Sequence, residues 1–288
     1  MLLRYLVSNF LQQQGQSVVR DLVSQQTGQD VAPEDVPKPD VVVLFALGVE
    51  SAGLKEKLSS TAAVNMEGRK ITVGKLGELV VGVVESGVGR KAAAAAARDV
   101  IDIISPKYVV SAGFAGGLVS ELKRGHVVMP NRVIDLNGSE TVIPLNLTEE
   151  QIEATQGLTV GTLLTVDRII GEVAEKRSLG EKHSAVAVDM ETLAIAKACE
   201  EKGTKLISVR IISDAVDQPL PKDLEKMMSQ KTTSGMIGAA AATIFNRPGS
   251  VKDMWNLNSM ANKASDLLAG FLVGVLPQLD SAVRGESP

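Results

Sequence analysis

The run DVVVLFAL (residues 40–47) decides the fold class. After Asp40 it is apolar at every position up to Gly48, with no alternation. A strand that is apolar throughout is buried on both faces, as in a parallel sheet covered by helices on either side. The pattern returns further along the chain. GELVVGVVES (77–86), PKYVVSAG (106–113), GHVVMPNRVIDL (125–136), LTVGTLLTVD (158–167), AVAVDM (185–190) and KLISVRIISDAVD (205–217) read as strands. GRKAAAAAARDVIDII (89–104), IIGEVAEKRS (169–178) and ETLAIAKACEEKG (191–203) read as helices between them. Strands alternating with helices predict an α/β domain with a largely parallel sheet.

Outside this core the periodicity is helical. Residues 1–38 form a helical prelude ending in a Pro-containing stretch, Ala32 to Pro39. Residues 222–288 carry two apolar helical patterns, 222–245 and 253–276, separated by the turn NRPGS (246–250). The expected division is therefore an N-terminal helical extension (1–38), a catalytic core (39–221) and a C-terminal helical region packed on that core (222–288).

Composition excludes several function classes. The net charge is −4 and the pI about 5.4, so no general basic field attracts a phosphate backbone. Aromatics are 3% of the chain, too few for a base-stacking platform, so no nucleic-acid partner is expected. The single cysteine, Cys199, cannot form a disulfide within the chain and fits a reducing cytoplasm. Two histidines, His126 and His183, show no metal-ligand spacing, and no metal site is expected. No segment offers the roughly 20 apolar residues of a membrane span. The polar face of residues 1–16 is not crowded with Lys and Arg, which argues against membrane-surface binding.

Ligands of parallel α/β sheets collect at the carboxyl ends of the strands. Four stretches fall there. FALGVES (45–51) puts Glu50 just beyond a strand, where it can hold a water or simply cap a helix. ESGVGRKAAAAA (85–96) is a turn of small residues running into a helix, open to a polar ligand or only tight; Arg90 beside it offers an anion contact. SAGFAGGL (111–118) has three glycines in five residues, implying close backbone approach or positive φ. AVDMETLAIA (187–196) and VRIISDAVD (209–217) place Asp189, Glu191 and Asp214 at strand ends. A carboxyl at the end of a buried strand is partly desolvated, which favours its protonated form and a role as general acid.

Together, LGVES, SGVGRKAA, SAGFAGGL, TVDRII, VDMET and VRIISDAVD, in this order over about residues 40–217, resemble the purine nucleoside phosphorylase/hydrolase superfamily. The branch most similar is the 5′-methylthioadenosine/S-adenosylhomocysteine nucleosidases. The resemblance implies a three-layer αβα fold with a central mixed, barrel-like sheet. It implies hydrolysis of the N-glycosidic bond of a purine nucleoside, no cofactor, a small-molecule nucleoside substrate and a homo-oligomer, with a dimer favoured. It makes Asp214 the acid at the purine and Glu50 the residue that orients water. Glu191 would grip the ribose hydroxyls with Met190 beneath the sugar. Ser86 and Gly87 would flank ribose and base, Ile169 and Ile170 would cover the base, and Ser213 accompanies Asp214.

Two departures stand out. Ile169 occupies a position where the nucleosidases usually have Phe, so an aliphatic cover replaces an aromatic stack. Phe114 fills a serine position of the glycine-rich stretch. In the hexameric phosphorylases an Arg and that serine hold phosphate; Ser111 and Phe114 cannot do so as a pair. This favours water over phosphate, with phosphorolysis, through Arg90 or a partner chain, as the alternative. A non-catalytic nucleoside-binding protein is the third reading, since fold does not fix function.

Overall fold

The computed structural model describes residues 36–145, 147–220 and 250–284. The first expected helix (residues 1–38), apart from its last residues, and the helix expected over 222–245 lie outside the described residues.

The run at 41–45 is strand β1 (Val41–Phe45), buried at every position. Its side chains alternate between two cores. Val41, Val43 and Phe45 face one apolar cluster, and Val42 and Leu44 face another. Helices α1 (Gly48–Lys57) and α6 (Ser250–Arg284) cover the first face, contributing Leu54, Leu58, Leu268, Leu272 and Leu276. Helices α2 (Arg90–Ile104) and α5 (Thr192–Lys202) cover the second through Ala93, Ala97, Val100, Ile195 and Cys199. This is the three-layer αβα arrangement that the resemblance implies. The alanine run of α2 suits it, because small side chains let a helix lie close on a sheet without loss of helix propensity.

The sheet is mixed. Strand β1 pairs in parallel with β4 (Leu79–Glu85) and β5 (Tyr108–Gly117). Strands β3 (Arg69–Leu76) and β2 (Ser59–Met66) add antiparallel at the β4 edge. Beyond β5 the sheet closes on itself. Strand β5 pairs with both β10 (Lys205–Asp214) and β9 (Ala187–Asp189). Strand β9 pairs with β8 (Leu158–Thr165), β8 with β6 (Val127–Asp135), and β6 with β10. Five strands thus form a closed barrel. The expectation of a largely parallel sheet from apolar runs is corrected here, because β6–β10 and β5–β9 run antiparallel. The short β7 (Glu140–Val142) pairs only with β6.

Two local expectations also change. The glycines of 113–117 continue strand β5 instead of ending it, and none of them has positive φ. Helix α4 (Val173–His183) starts four residues later than 169, because residues 169–172 form a loop tied to the chain after β10 (Leu220 N to Gly171 O, 3.1 Å). A short helix, α3 (Glu149–Ala154), precedes β8 and is capped by Thr148.

Candidate active site

The carboxyl ends of β1, β5, β9 and β10 open on a cavity of about 490 Å³. That volume suits a small organic ligand. Glu50, Glu191, Met190, Asp214, Ser213, Ile169 and Ile170 all line it, so the structure brings together most of the residues singled out in the sequence.

Glu50 sits in the first turn of α1 and is buried. Its Oε2 accepts from the N–H groups of Ala46 (3.0 Å) and Leu47 (2.9 Å), so it does cap its own helix. Its Oε1 accepts from Phe114 N on β5 at 2.8 Å. A carboxylate has about four acceptor sites. Three N–H donors leave one site unfilled on a side chain that lines the cavity. Desolvation pushes the Glu50 carboxyl up, against the pull of the Phe114 N–H, the Arg210 guanidinium and the two N–H groups of its own turn.

Gly113 explains how Glu50 gets this close to β5. A Cβ there would lie 2.6 Å from Arg210 Nη1 and 2.8 Å from Glu50 Oε1. The glycine-rich stretch is therefore a close-approach device, one of the two readings the sequence allows. A second such contact holds α1 itself. A Cβ on Gly53 would sit 2.7 Å from Ser265 O of α6, and Gly53 N donates to Ser265 Oγ at 3.1 Å. Helix α6 thereby fixes the helix that carries Glu50, and it also supplies Met260 and Ala261 to the cavity wall.

Glu191 is the residue before α5, and its Oε1 accepts from Gly89 N at 2.7 Å. Burial, followed by the nearby Asp189 charge, raises its pKa to about 7. The Gly89 N–H and Arg210 oppose the rise, and Glu50 adds to it.

Behind both glutamates lies a buried network that joins Asp189 and Ser111 to Arg210, a residue the sequence reading did not single out. Arg210 of β10 is ion-paired to Asp189 Oδ2 at 3.0 Å and donates to Ser111 Oγ at 2.7 Å and to Thr192 Oγ1. Asp189 accepts from Thr165 Oγ1 at 2.7 Å and Thr192 N at 2.9 Å. Ser111 therefore serves a guanidinium, not a ligand. The available signal is Arg210 itself, a cation inside the apolar run of β10. Such a residue must find carboxylates, because an unpaired buried charge is strongly destabilising.

Asp214 ends β10 and is buried as expected, but its surroundings are not simply apolar. Ser213 Oγ lies 2.6 Å from its Oδ1, and the ammonium of Lys176 on α4 pairs with its Oδ2. Gln218, Pro219 and Leu220 continue the wall past Asp214, and Gln218 accepts from Arg124 at 2.7 Å.

Three expected residues are not on the wall. Ser86 and Gly87 form the turn after β4, tied to β1 through Ser86 N to Phe45 O (2.8 Å) and Gly87 N to Ala46 O (3.1 Å); Val88 is the residue that faces the cavity. Arg90 is engaged elsewhere. It pairs with Asp135 (2.9 Å) and Asp167 (2.9 Å) and donates to Thr165 O at 2.7 Å. Two carboxylates already pair with it, which weighs against the anion contact suggested by its place beside the turn.

The sequence model of the phosphorylase superfamily matches residues 40–244. The chain belongs to this superfamily. Within it, the chain is 29% identical over 215 residues to a 5′-methylthioadenosine/S-adenosylhomocysteine nucleosidase of Colwellia psychrerythraea, covering 65% of this chain and 88% of that one. It is 25% identical over 213 residues to the enzyme of the same name from Staphylococcus haemolyticus, covering 67% and 93%. The fold matches a Helicobacter pylori nucleosidase variant with 5′-methylthioadenosine in its active site (TM-score 0.64, 17% identity, 84% of this chain and 100% of that one). It also matches the futalosine hydrolase of Helicobacter pylori (TM-score 0.63, 17% identity, 84% and 98%). The family expected from the six motifs is thus the family found, and the superfamily's barrel-bearing αβα fold is the fold observed. Among the described residues, no group of His, Cys, Asp and Glu is placed to hold a metal ion, and no helix is long and apolar enough to cross a membrane.

Proposed function

We propose that this superfamily member hydrolyses the N-glycosidic bond of a purine nucleoside, a 5′-modified adenosine such as methylthioadenosine or S-adenosylhomocysteine, and releases adenine. The observation that carries the reading is the convergence of Glu50, Glu191 and Asp214 on one cavity. The curated relatives, named as nucleosidases for these two compounds, support it.

Cleavage builds positive charge on the ribose and negative charge on the departing base. Asp214 protonates the purine at N7 as the bond to C1′ breaks. Glu191 accepts from the 2′- and 3′-hydroxyls, and its negative charge favours the cationic sugar. Glu50 uses its free lone pair to hold the attacking water, with its other lone pairs locked by N–H groups. Met190 packs beneath the sugar, and Ile169 and Ile170 cover the base. Water is favoured over phosphate for an electrostatic reason. Glu50, Asp189 and Glu191 share the single guanidinium of Arg210, and Arg90 is already paired with Asp135 and Asp167. An anionic nucleophile entering beside these carboxylates meets repulsion.

In the same reading residues 39–221 are the catalytic core, with 1–38 and 222–288 as extensions. The enzyme works as a homo-oligomer, a dimer being favoured, in the cytoplasm. The exposed Leu136 and Val142, carried by the β6–β7 hairpin, are side chains such a contact would cover. The test is base release from methylthioadenosine, S-adenosylhomocysteine, 5′-deoxyadenosine, adenosine and inosine in phosphate-free buffer. Adenine release that is fastest from the 5′-modified adenosines is expected. Stabilisation by these nucleosides with no base released would instead make the chain a binding protein.

A further inference from the structure

Helix α4 turns Lys176 and Gly180 inward. Flanked by Glu175 and Arg177, Lys176 reads in the sequence as one more surface charge, yet it is 0% exposed. Its Nζ donates to Asp214 Oδ2, to Ala215 O at 3.1 Å and to Gln218 O at 2.8 Å. With Asp214 as a carboxylate, the three acceptors take up all three N–H groups of an ammonium. Two of its bonds fasten the turn after β10, which continues into the cavity wall at Gln218 and Leu220.

The arrangement treats the two oxygens of Asp214 differently. Oδ2 is filled by the ammonium. Oδ1 lies 2.6 Å from Ser213 Oγ, and the same Oγ lies 3.3 Å from Ala115 O. Ser213 has one proton for these two acceptors. When Asp214 is a carboxylate, Ser213 donates to Oδ1. When Asp214 carries a proton on Oδ1, that proton faces Ser213 Oγ, and Ser213 turns to Ala115 O. Both states are satisfied without moving the backbone. A proton on Oδ2 would face an N–H of the ammonium and is accommodated only if Lys176 gives up a proton.

We propose that Lys176 is the positioning residue of Asp214: by occupying Oδ2 it directs the catalytic proton to Oδ1, the oxygen shared with Ser213, and fixes the carboxyl to the turn that walls the cavity. The inference rests on the nucleosidase reading. During cleavage the bond between the base and C1′ breaks with its electron pair going to the base. The proton on Oδ1 turns from Ser213 Oγ to the base and passes to N7, and the charge left on Asp214 is met by the ammonium, which keeps its three protons throughout. Solvent returns a proton to Oδ1 after the base has left.

A role exercised through leaving-group protonation matters only for leaving groups that need protonation. The test therefore compares methylthioadenosine with 4-nitrophenyl riboside, whose leaving group departs as a stable anion. In Lys176→Met, kcat for methylthioadenosine is expected to fall by about 10²-fold with KM nearly unchanged, within the range of a lost general acid. The ratio of the two rates shifts by a similar factor toward the nitrophenyl substrate. Adding Lys176→Met to Asp214→Asn causes no further loss. Turnover of the nitrophenyl substrate also reports that the protein is folded. If Lys176→Met does not fold, Lys176→Gln, which keeps an amide NH2 for the turn carbonyls but no charge, is expected to show the same selective loss. Equal loss on both substrates in a folded variant, or unchanged purine turnover, overturns the role of Lys176. A wild-type protein that releases no base from any purine nucleoside overturns the nucleosidase reading as well.

Discussion

The two ends of the cavity solve the burial of charge differently. At one end a single carboxylate, Asp214, meets a single ammonium, Lys176. At the other, Asp189, Glu50 and Glu191 share the one guanidinium of Arg210. The first end is balanced, so what it offers is a fixed geometry for a proton. The second holds more carboxyls than cations, and burial, followed by the Asp189 charge, raises Glu191 to about 7. A purine that must be protonated suits the first end, and a sugar that becomes cationic suits the second. The difference teaches that burial alone does not assign a carboxyl its role; the cations behind it do.

Asp214→Asn strikes the balanced end and carries the largest expected effect. kcat for purine nucleosides falls by roughly 10²–10⁴-fold, while denaturant unfolding reports an intact fold. Wild-type turnover would remove Asp214 from the chemistry. Arg210→Met strikes the other end by stranding Asp189 and the two glutamates. Breaking a buried pair from one side costs about 3–5 kcal/mol, to be read from the urea midpoint. A loss no larger than that of a surface substitution would mean that the carboxylates are not held by Arg210.

Glu191→Gln is expected to raise KM and lower kcat together, with kcat/KM down about 10²-fold, because the ribose contact tightens in the transition state. In the wild type, kcat/KM is expected to rise as pH passes through about 7, where Glu191 becomes a carboxylate. That limb should vanish in Glu191→Gln, and its persistence would assign it to another group. Stability moves the opposite way. The folded state holds the Glu191 proton more tightly than the unfolded chain, whose ordinary value is 4.5. The contribution is full below that value and is lost as pH climbs through about 7, a decline on the order of 1–3 kcal/mol that Glu191→Gln should flatten. The smallest effect is expected for Arg90→Gln, which leaves turnover indifferent to added phosphate, measured by initial rates with and without it. A phosphate dependence lost in this variant would return Arg90 to the site.

The sequence made the strands legible wherever both faces are buried, as in β1, β4 and β10, because a short run of unbroken apolar residues fits a strand covered on both sides and leaves no polar face for a surface helix. It was silent on β2 and β3, whose half-exposed faces mix Ser, Thr, Lys and Arg with scattered apolar residues. Closure of the barrel could not be read from periodicity, since β9 is only three residues long yet joins β5 to β8. Glu50, Glu191 and Asp214 were legible through their motifs and their strand-end positions. Lys176 was not, because a lysine between two charged neighbours looks solvated until the fold turns its face of α4 inward. Arg90 shows the converse. Its place beside a glycine-rich turn suggests an anion, but Asp135 and Asp167, remote in sequence, reach it first.

The measurement that tests the central claim most directly is the fate of oxygen at C1′. Methylthioadenosine is turned over in ¹⁸O-enriched water containing inorganic phosphate, and the sugar product is identified by mass spectrometry. A site in which Glu50 holds the attacking water beside Glu191 predicts free methylthioribose carrying one ¹⁸O at C1′, formed at the same rate without phosphate. A sugar 1-phosphate formed only when phosphate is present would contradict it.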